Sequence, residues 1–374
     1  MDFHFIKNVL SNKTHKFINE RRGWKTDRKI VIIESDDWGS IRMPSRSVYE
    51  KSLKKGLDVD KCAYCKYDTL ASTDDLDALF NTLTKYKDHK GNHPIITANT
   101  IVANPDFERI KADKYENYHY EVFTDTLNKY ENTNFDMWKH GISNKLFYPQ
   151  LHGREHLNIE RWLMCLQNKS TELHFAFDNS FFGVSQSISK ESNPSFMAAL
   201  DYDTGEGKEQ GNRAIEDGIE IFSDCFGFNS KSFIAPNYFW HSETEKILSA
   251  GNVKYLQGGF VQKVPSANSK YHYLGEKNNY NQVYLTRNVI FEPASFVNKD
   301  WVSTALKQIK HAFKVNKPAI ISTHRVAFIG SIFEENRSKN LKLLQLLLHE
   351  ILKQWPDVEF MHSAELGDLI KAEQ

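Results

Sequence analysis

The chain has 374 residues, and its 48 basic and 48 acidic side chains give a formal net charge of zero. That balance argues against a nucleic-acid footprint or a polybasic membrane anchor. The length is ample for one large core, since α/β barrels often run past about 250 residues as a single unit. Within Met1 to Gly23, Phe3, Phe5, Ile6, Val9 and Leu10 are interrupted by Lys7 and Asn8. The segment lacks the unbroken apolar core of a secretory signal, and its apolar residues recur at helical spacing. An amphipathic helical segment over residues 1–28, packing on the body, is the expectation. No stretch reaches the ~20 apolar residues that a membrane span needs. The four cysteines include one CxxC, Cys62 and Cys65, with no second pair to complete a zinc knuckle. Reduced thiols and a cytoplasmic location are expected.

Short apolar runs alternate with helical patterns through the body, residues 29–374. The runs are Ile30 to Ile33, Pro94 to Val102, Leu173 to Phe177, Phe233-Ile234, Val253 to Leu256, Val283 to Leu285 and Ala319 to Ser322. Each is short and β-rich enough to be a strand. Ser72 or Thr73 can cap a helix that continues through Leu76, Leu79, Phe80 and Leu83, with Asp74 and Asp75 in its first turn. A second helix is expected from Ser338 to Trp355, where Leu341, Leu344, Leu348, Ile351 and Leu352 share one face and Pro356 ends the pattern. Strands apolar on both faces, alternating with helices, imply a parallel sheet covered by helices. The fold class expected is α/β, a distorted or incomplete (β/α) barrel of about seven parallel strands in a single domain. An open doubly wound sheet is second choice, because Glu34-Ser35-Asp36-Asp37 follows the first strand where a dinucleotide fold has GxGxxG. Loop insertions are expected near 103–145, 186–211 and 262–282.

Four places carry groups able to do chemistry. The first is Asp36-Asp37, at the C-terminal end of the first strand, where barrel enzymes gather their functional groups. Adjacent carboxylates repel unless a cation or proton lies between them. One could ligate a metal while its neighbour accepts a proton. Alone, the pair could equally be a solvated turn or helix cap. The second is His152-Gly153-Arg154-Glu155-His156, whose histidines four apart can meet on one side of a helical turn. One Asp and two His make a three-ligand site with open positions, the arrangement of a hydrolytic zinc ion. The third is His324, after the run Ala319 to Ser322, placed to hand a proton to a leaving group. The fourth is the aromatic-rich turn Pro236-Asn237-Tyr238-Phe239-Trp240, a possible wall for a sugar ring.

The order DD, HxxxH, Pro-aromatic turn, His after a strand resembles the polysaccharide deacetylase family, carbohydrate esterase family four and its divergent bacterial relatives. The resemblance runs from about Lys29 to Ile370. It implies Asp36 as base, Asp37, His152 and His156 as ligands of a divalent metal, most simply zinc, His324 as general acid, and the Asn237 N–H as an oxyanion donor. It also implies an acetylated saccharide as substrate. The family's third motif usually reads Arg-x-Pro-Tyr. Here Ile234-Ala235-Pro236-Asn237 keeps only the proline. Arg42, Arg154 and Arg325 are the candidates to replace the arginine that orients the catalytic aspartate. The separation of Asp37 from His152 is also longer than usual, with the extra length expected between 103 and 145. Two other readings stay open: a glycoside hydrolase pairing Asp36 with Asp178 or Glu292, and an inactive carbohydrate-binding protein.

Overall fold

The computed structural model describes residues 21–130, 133–168, 170–184, 196–295 and 298–374. Most of the expected N-terminal segment, residues 1–20, lies outside the described residues, as does 186–195 of the second expected insertion. The strands in chain order are β1 (Ile30–Trp38), β2 (Ile96–Ile101), β3 (Ala103–Pro105), β4 (Tyr120–Val122), β5 (Phe147–Gly153), β6 (Ser232–Ile234) and β7 (Tyr255–Gly258). They continue with β8 (Val261–Gln262), β9 (Lys270–Tyr271), β10 (Val283–Thr286), β11 (Val289–Ile290), β12 (Ala319–His324) and β13 (Glu359–Phe360).

Nine of these form one sheet in the order β10-β7-β6-β5-β2-β1-β12-β11, with β13 added to the start of β1. Every pairing in it is parallel. The two ends of that path, β10 and β11, are consecutive in the chain. Arg287 N donates to Gly258 O at the end of β7 (2.7 Å), and Asn288 N donates to Ile320 O on β12 (3.2 Å). One chain segment thus leaves β7 and joins β12, and the sheet closes at this split into the distorted barrel expected. Helices cover its outside, the longest being Gly205–Phe226 and Glu334–Gln354.

Strand alternation sorts the side chains into layers. On the outer face, Val31 and Ile33 pack into the main apolar core beneath the helices. On the inner face, Ile30, Ile32, Tyr255, Val283, Leu285 and Ile320 form a smaller core with Leu366 and Ile370 of the C-terminal helix Ser363–Ala372. Two residues further along each strand the inner face turns polar. Glu34, Thr97, Gln150, Ser232 and Gln257 are all buried and joined by hydrogen bonds, several through Ser363. Satisfied partners make such a layer tolerable in an interior.

The helix from Thr73 to Leu83 begins with the expected cap. Ser72 and Asp75 bond reciprocally as a capping box, and Asp75 also takes Gly330 N and Arg337 Nη1. One expected strand is absent. Leu173 to Phe177 lies in the helix Thr171–Asp178, whose buried residues Leu173, Ala176 and Phe177 follow an i, i+3, i+4 pattern. A five-residue apolar run does not by itself distinguish a strand from one buried helical face. The described residues of the expected insertion at 103–145 hold a β3–β4 ribbon, the helix Phe107–Ala112 between its strands, and the helices Phe123–Lys129 and Phe135–Ser143. Residues 205–211, expected as loop, are the opening of the long helix Gly205–Phe226. The region 262–282 carries part of the β8–β9 ribbon.

Gly39 fixes the exit from β1. Its φ is +81°, and a Cβ there would sit 2.2 Å from Ile101 O. Left-handed backbone and contact with a main-chain oxygen both exclude a side chain. Gly39→Ala is expected to cost roughly 1–3 kcal/mol or more of stability, read as a lowered midpoint in urea unfolding. An unchanged midpoint would show that this turn relaxes freely.

Candidate metal centre and acid–base pair

The groups singled out in the sequence gather at the C-terminal end of the barrel. Alternation alone would turn Asp36 and Asp37 to opposite faces. Instead, β1 carries an extra residue against β2: Ser35 pairs with Ala98 and Trp38 with Thr100. This bulge, with Asp37 at φ 74°, brings both carboxylates to the same centre. A second irregularity lies where β2 meets β5, between Thr100 and Ile101, and delivers His152. His156 follows in a loop rather than on the helical turn expected. Gly153, at φ 117°, turns the chain so that the two imidazoles lie 5.1 Å apart, centre to centre.

Asp37, His152 and His156 each offer one donor atom, and the three lie within 4.8 Å of one another. Asp37 Oδ1 is 3.6 Å from His152 Nε2 and 3.5 Å from His156 Nε2. That oxygen is buried and takes no hydrogen bond among the described residues. His152 Nδ1 is spent on Ile234 O at 2.8 Å, which fixes the ring and leaves Nε2 facing Asp37. Burial holds the His156 imidazole down at about 3, against the pull of Asp37, so the ring is neutral. Two imidazoles and a carboxylate with a bare oxygen suit a divalent cation.

Asp36, at the same centre, is held by different partners. Arg287 grips it with two bonds, Nη1 to Oδ2 at 2.7 Å and Nη2 to Oδ1 at 2.6 Å, and Asn99 Nδ2 adds a third at 2.7 Å. Burial alone would raise this carboxyl, but the Arg287 guanidinium overrides it and holds Asp36 well below the usual range. Arg287 Nε reaches Glu34 at 2.5 Å, and Nη1 is also near Tyr238 Oη at 3.3 Å. Arg287 is the arginine the sequence reading missed. Arg42 bonds Asp37, Arg154 bonds Glu155 and Asp217, and Arg325 bonds Asp68 and Ser40 O, so none of the three expected candidates bonds Asp36. The signal was present in the strand period: Val283 and Leu285 face inward, and Arg287 is next on that face.

His324 completes the group from β12, in register with Asp36. Its Nε2 is 3.8 Å from Asp36 Oδ2 and its Nδ1 2.8 Å from Glu292 Oε1. Burial would lower it, but the Glu292 carboxylate outweighs this and raises it to about 9. The half-buried Tyr64 meets the imidazole edge to face at 5.5 Å. Asn237 and Tyr238 occupy the turn after β6, both with left-handed backbone (φ 52° and 62°). Asp178 is not part of this group. It ends the helix Thr171–Asp178 and pairs with Lys111 in solvent.

His152→Ala removes one of three donors. The parent is expected to retain about one equivalent of divalent metal after dialysis and the variant much less, by elemental analysis. Equal retention would exclude this trio as the binding site.

No family model matches the chain, and no curated protein matches its sequence. Among solved structures it is similar to a protein described as a glycoside hydrolase/deacetylase from Parabacteroides distasonis, with 11% identity, a TM-score of 0.50, and 94% of this chain and 72% of that one covered. It is also similar to a polysaccharide deacetylase structure from Mycobacterium smegmatis, with 10% identity, a TM-score of 0.47 and 94% of each chain covered. Among the described residues no helix is long and apolar enough to cross a membrane. The chain thus has a distorted (β/α) barrel, a fold it shares with the Parabacteroides structure.

Proposed function

We propose that this protein is a metal-dependent hydrolase that removes acetyl groups from a saccharide. N-acetyl groups are the first choice, and O-acetyl esters are open to the same apparatus. The observation that carries the reading is the three-donor cluster Asp37–His152–His156 beside an ionised Asp36 and a proton-bearing His324. A bound divalent ion, zinc being the simplest fit to two imidazoles and a carboxylate, would polarise the acetyl carbonyl and acidify a water molecule.

The remaining work falls to the side chains. Arg287 keeps Asp36 charged and aimed, so Asp36 is ready to accept the proton of the attacking water. The water's oxygen bonds the acetyl carbon and the bond to the sugar nitrogen breaks. His324, held protonated by Glu292, gives its proton to the departing amine. The two groups have opposite protonation states at neutral pH because one is paired with a guanidinium and the other with a carboxylate. The Asn237 N–H is the protein donor assigned to the developing oxyanion. Tyr64 and Tyr238, both half-buried, offer aromatic surface for a sugar ring. The sparse cysteine usage fits a cytoplasmic setting.

The glycoside hydrolase reading requires two carboxylates across an open gap. Asp178 is remote in its contacts, and Glu292 is bonded to the same imidazole that approaches Asp36. The inactive-binder reading drew on the missing third-motif arginine, a role that Arg287 fills.

An acetate-release screen over N- and O-acetylated saccharides, run with metal-loaded protein, tests the reading directly. Asp36→Asn is expected to keep metal and lose turnover by on the order of 10²–10⁴-fold; wild-type turnover would remove Asp36 from the mechanism. Because His324 must carry a proton, the rate is expected to fall as pH rises through about 9. Glu292→Gln removes the group that raises His324, so this alkaline limb is expected at lower pH by about one unit or more. A limb that stays in place would reassign the acid.

A further inference from the structure

Arg42 stands beside the centre and has no part in the reaction just described. Its Nη2 donates to Asp37 Oδ2 at 3.0 Å, with 7% and 2% of the two side chains exposed. The same carboxylate turns its other oxygen, Oδ1, towards His152 and His156. The two oxygens of Asp37 are therefore committed in opposite directions.

The guanidinium has little freedom to swing away. Its Nε lies 3.8 Å from Asp68 Oδ2, and Asp68 is itself bonded by Arg325. Nη1 lies 3.2 Å from Met197 Sδ, and the Tyr64 ring centre is 5.4 Å from Cζ. On a further side Gly183 approaches so closely that a Cβ there would sit 3.1 Å from Nη1.

A carboxylate can bind a divalent ion through one oxygen or two. A site with three protein ligands keeps room for water and substrate only while each ligand uses one position. A guanidinium bonded to Oδ2 occupies the lone pair that a second bond would need, and its charge opposes a cation at that oxygen. We propose that Arg42 fixes Asp37 as a one-oxygen ligand and so keeps a coordination position open at the centre. Arg42 is a positioning residue, and the inference rests on the metal-centre reading above.

A purely structural Arg42, serving only to neutralise Asp37 and Asp68, would affect stability and leave ligation alone. Cobalt(II) separates the two roles, because its visible absorption weakens as coordination number rises. The parent is expected to show an intense band. Arg42→Met keeps the stem but loses the charge and donors, and its band is expected to fall by about twofold or more as Asp37 closes onto the ion with both oxygens. Arg42→Lys keeps the charge and one donor and is expected to restore the parent band. Equal bands in parent and Arg42→Met overturn the proposal.

A crystal structure of the zinc-loaded parent decides the matter should Arg42→Met fail to fold. Oδ1 alone is expected at bonding distance, about 2.0–2.2 Å, with Oδ2 still on Arg42. Both oxygens at that distance would overturn the role of Arg42 while leaving the metal centre standing. A parent that takes up neither cobalt nor zinc would overturn the metal centre and this inference with it.

Discussion

The guanidinium of Arg287 is the interaction on which the centre depends. It reaches two buried carboxylates at once, Glu34 through Nε and Asp36 through both terminal nitrogens. A buried carboxylate left without its partner costs about 3–5 kcal/mol, so the pair cannot persist in the interior without this side chain. Beside that pair, Asp37 turns Oδ1 towards the two histidines with no hydrogen bond to it among the described residues, and this bare oxygen is what a cation would satisfy. The Arg287 contact holds the Asp36 carboxyl well below the usual carboxylate range.

Arg287 stands at the barrel's split, where the segment 283–290 leaves β7 for β12. Its own N–H still bonds β7 while that of Asn288 already bonds β12, so its side chain reaches Asp36 and Glu34 from the break itself. Asp36 and Asp37 are likewise placed by an irregularity, the extra residue in β1. The ideal geometry of the parallel sheet supplies the frame, and its departures from ideality place the reactive groups.

Much of this was legible in the chain. Six of the seven runs expected as strands are strands, and the helix capped at Ser72 is where it was expected, but β5, β11 and β13 of the nine-stranded sheet were not among those runs. Leu173 to Phe177 misled because a run of five apolar residues fits either period. Asp36, Asp37, His152, His156 and His324 were recognisable because their order along the chain matched a known pattern. Arg287 escaped because its partners lie some 250 positions away in the chain and no short motif surrounds it. The polar inner layer escaped for a related reason. Thr97, Gln150, Ser232 and Gln257 each look unremarkable alone, and only closure of the barrel makes them neighbours. The bulge in β1 has no sequence mark beyond the adjacent acids themselves.

Ser363 opens the last helix and donates to Glu34 Oε1 at 2.6 Å, beside the apolar plug that Leu366 and Ile370 drive into the barrel floor. The support for Asp36 therefore runs through Arg287 and Glu34 to a helix synthesised after every strand of the sheet. During translation this end of the barrel stays unfinished until residues 363–372 have left the ribosome and docked. A nascent chain stalled short of that helix would hold its reactive side chains without the anchorage that makes them an ensemble.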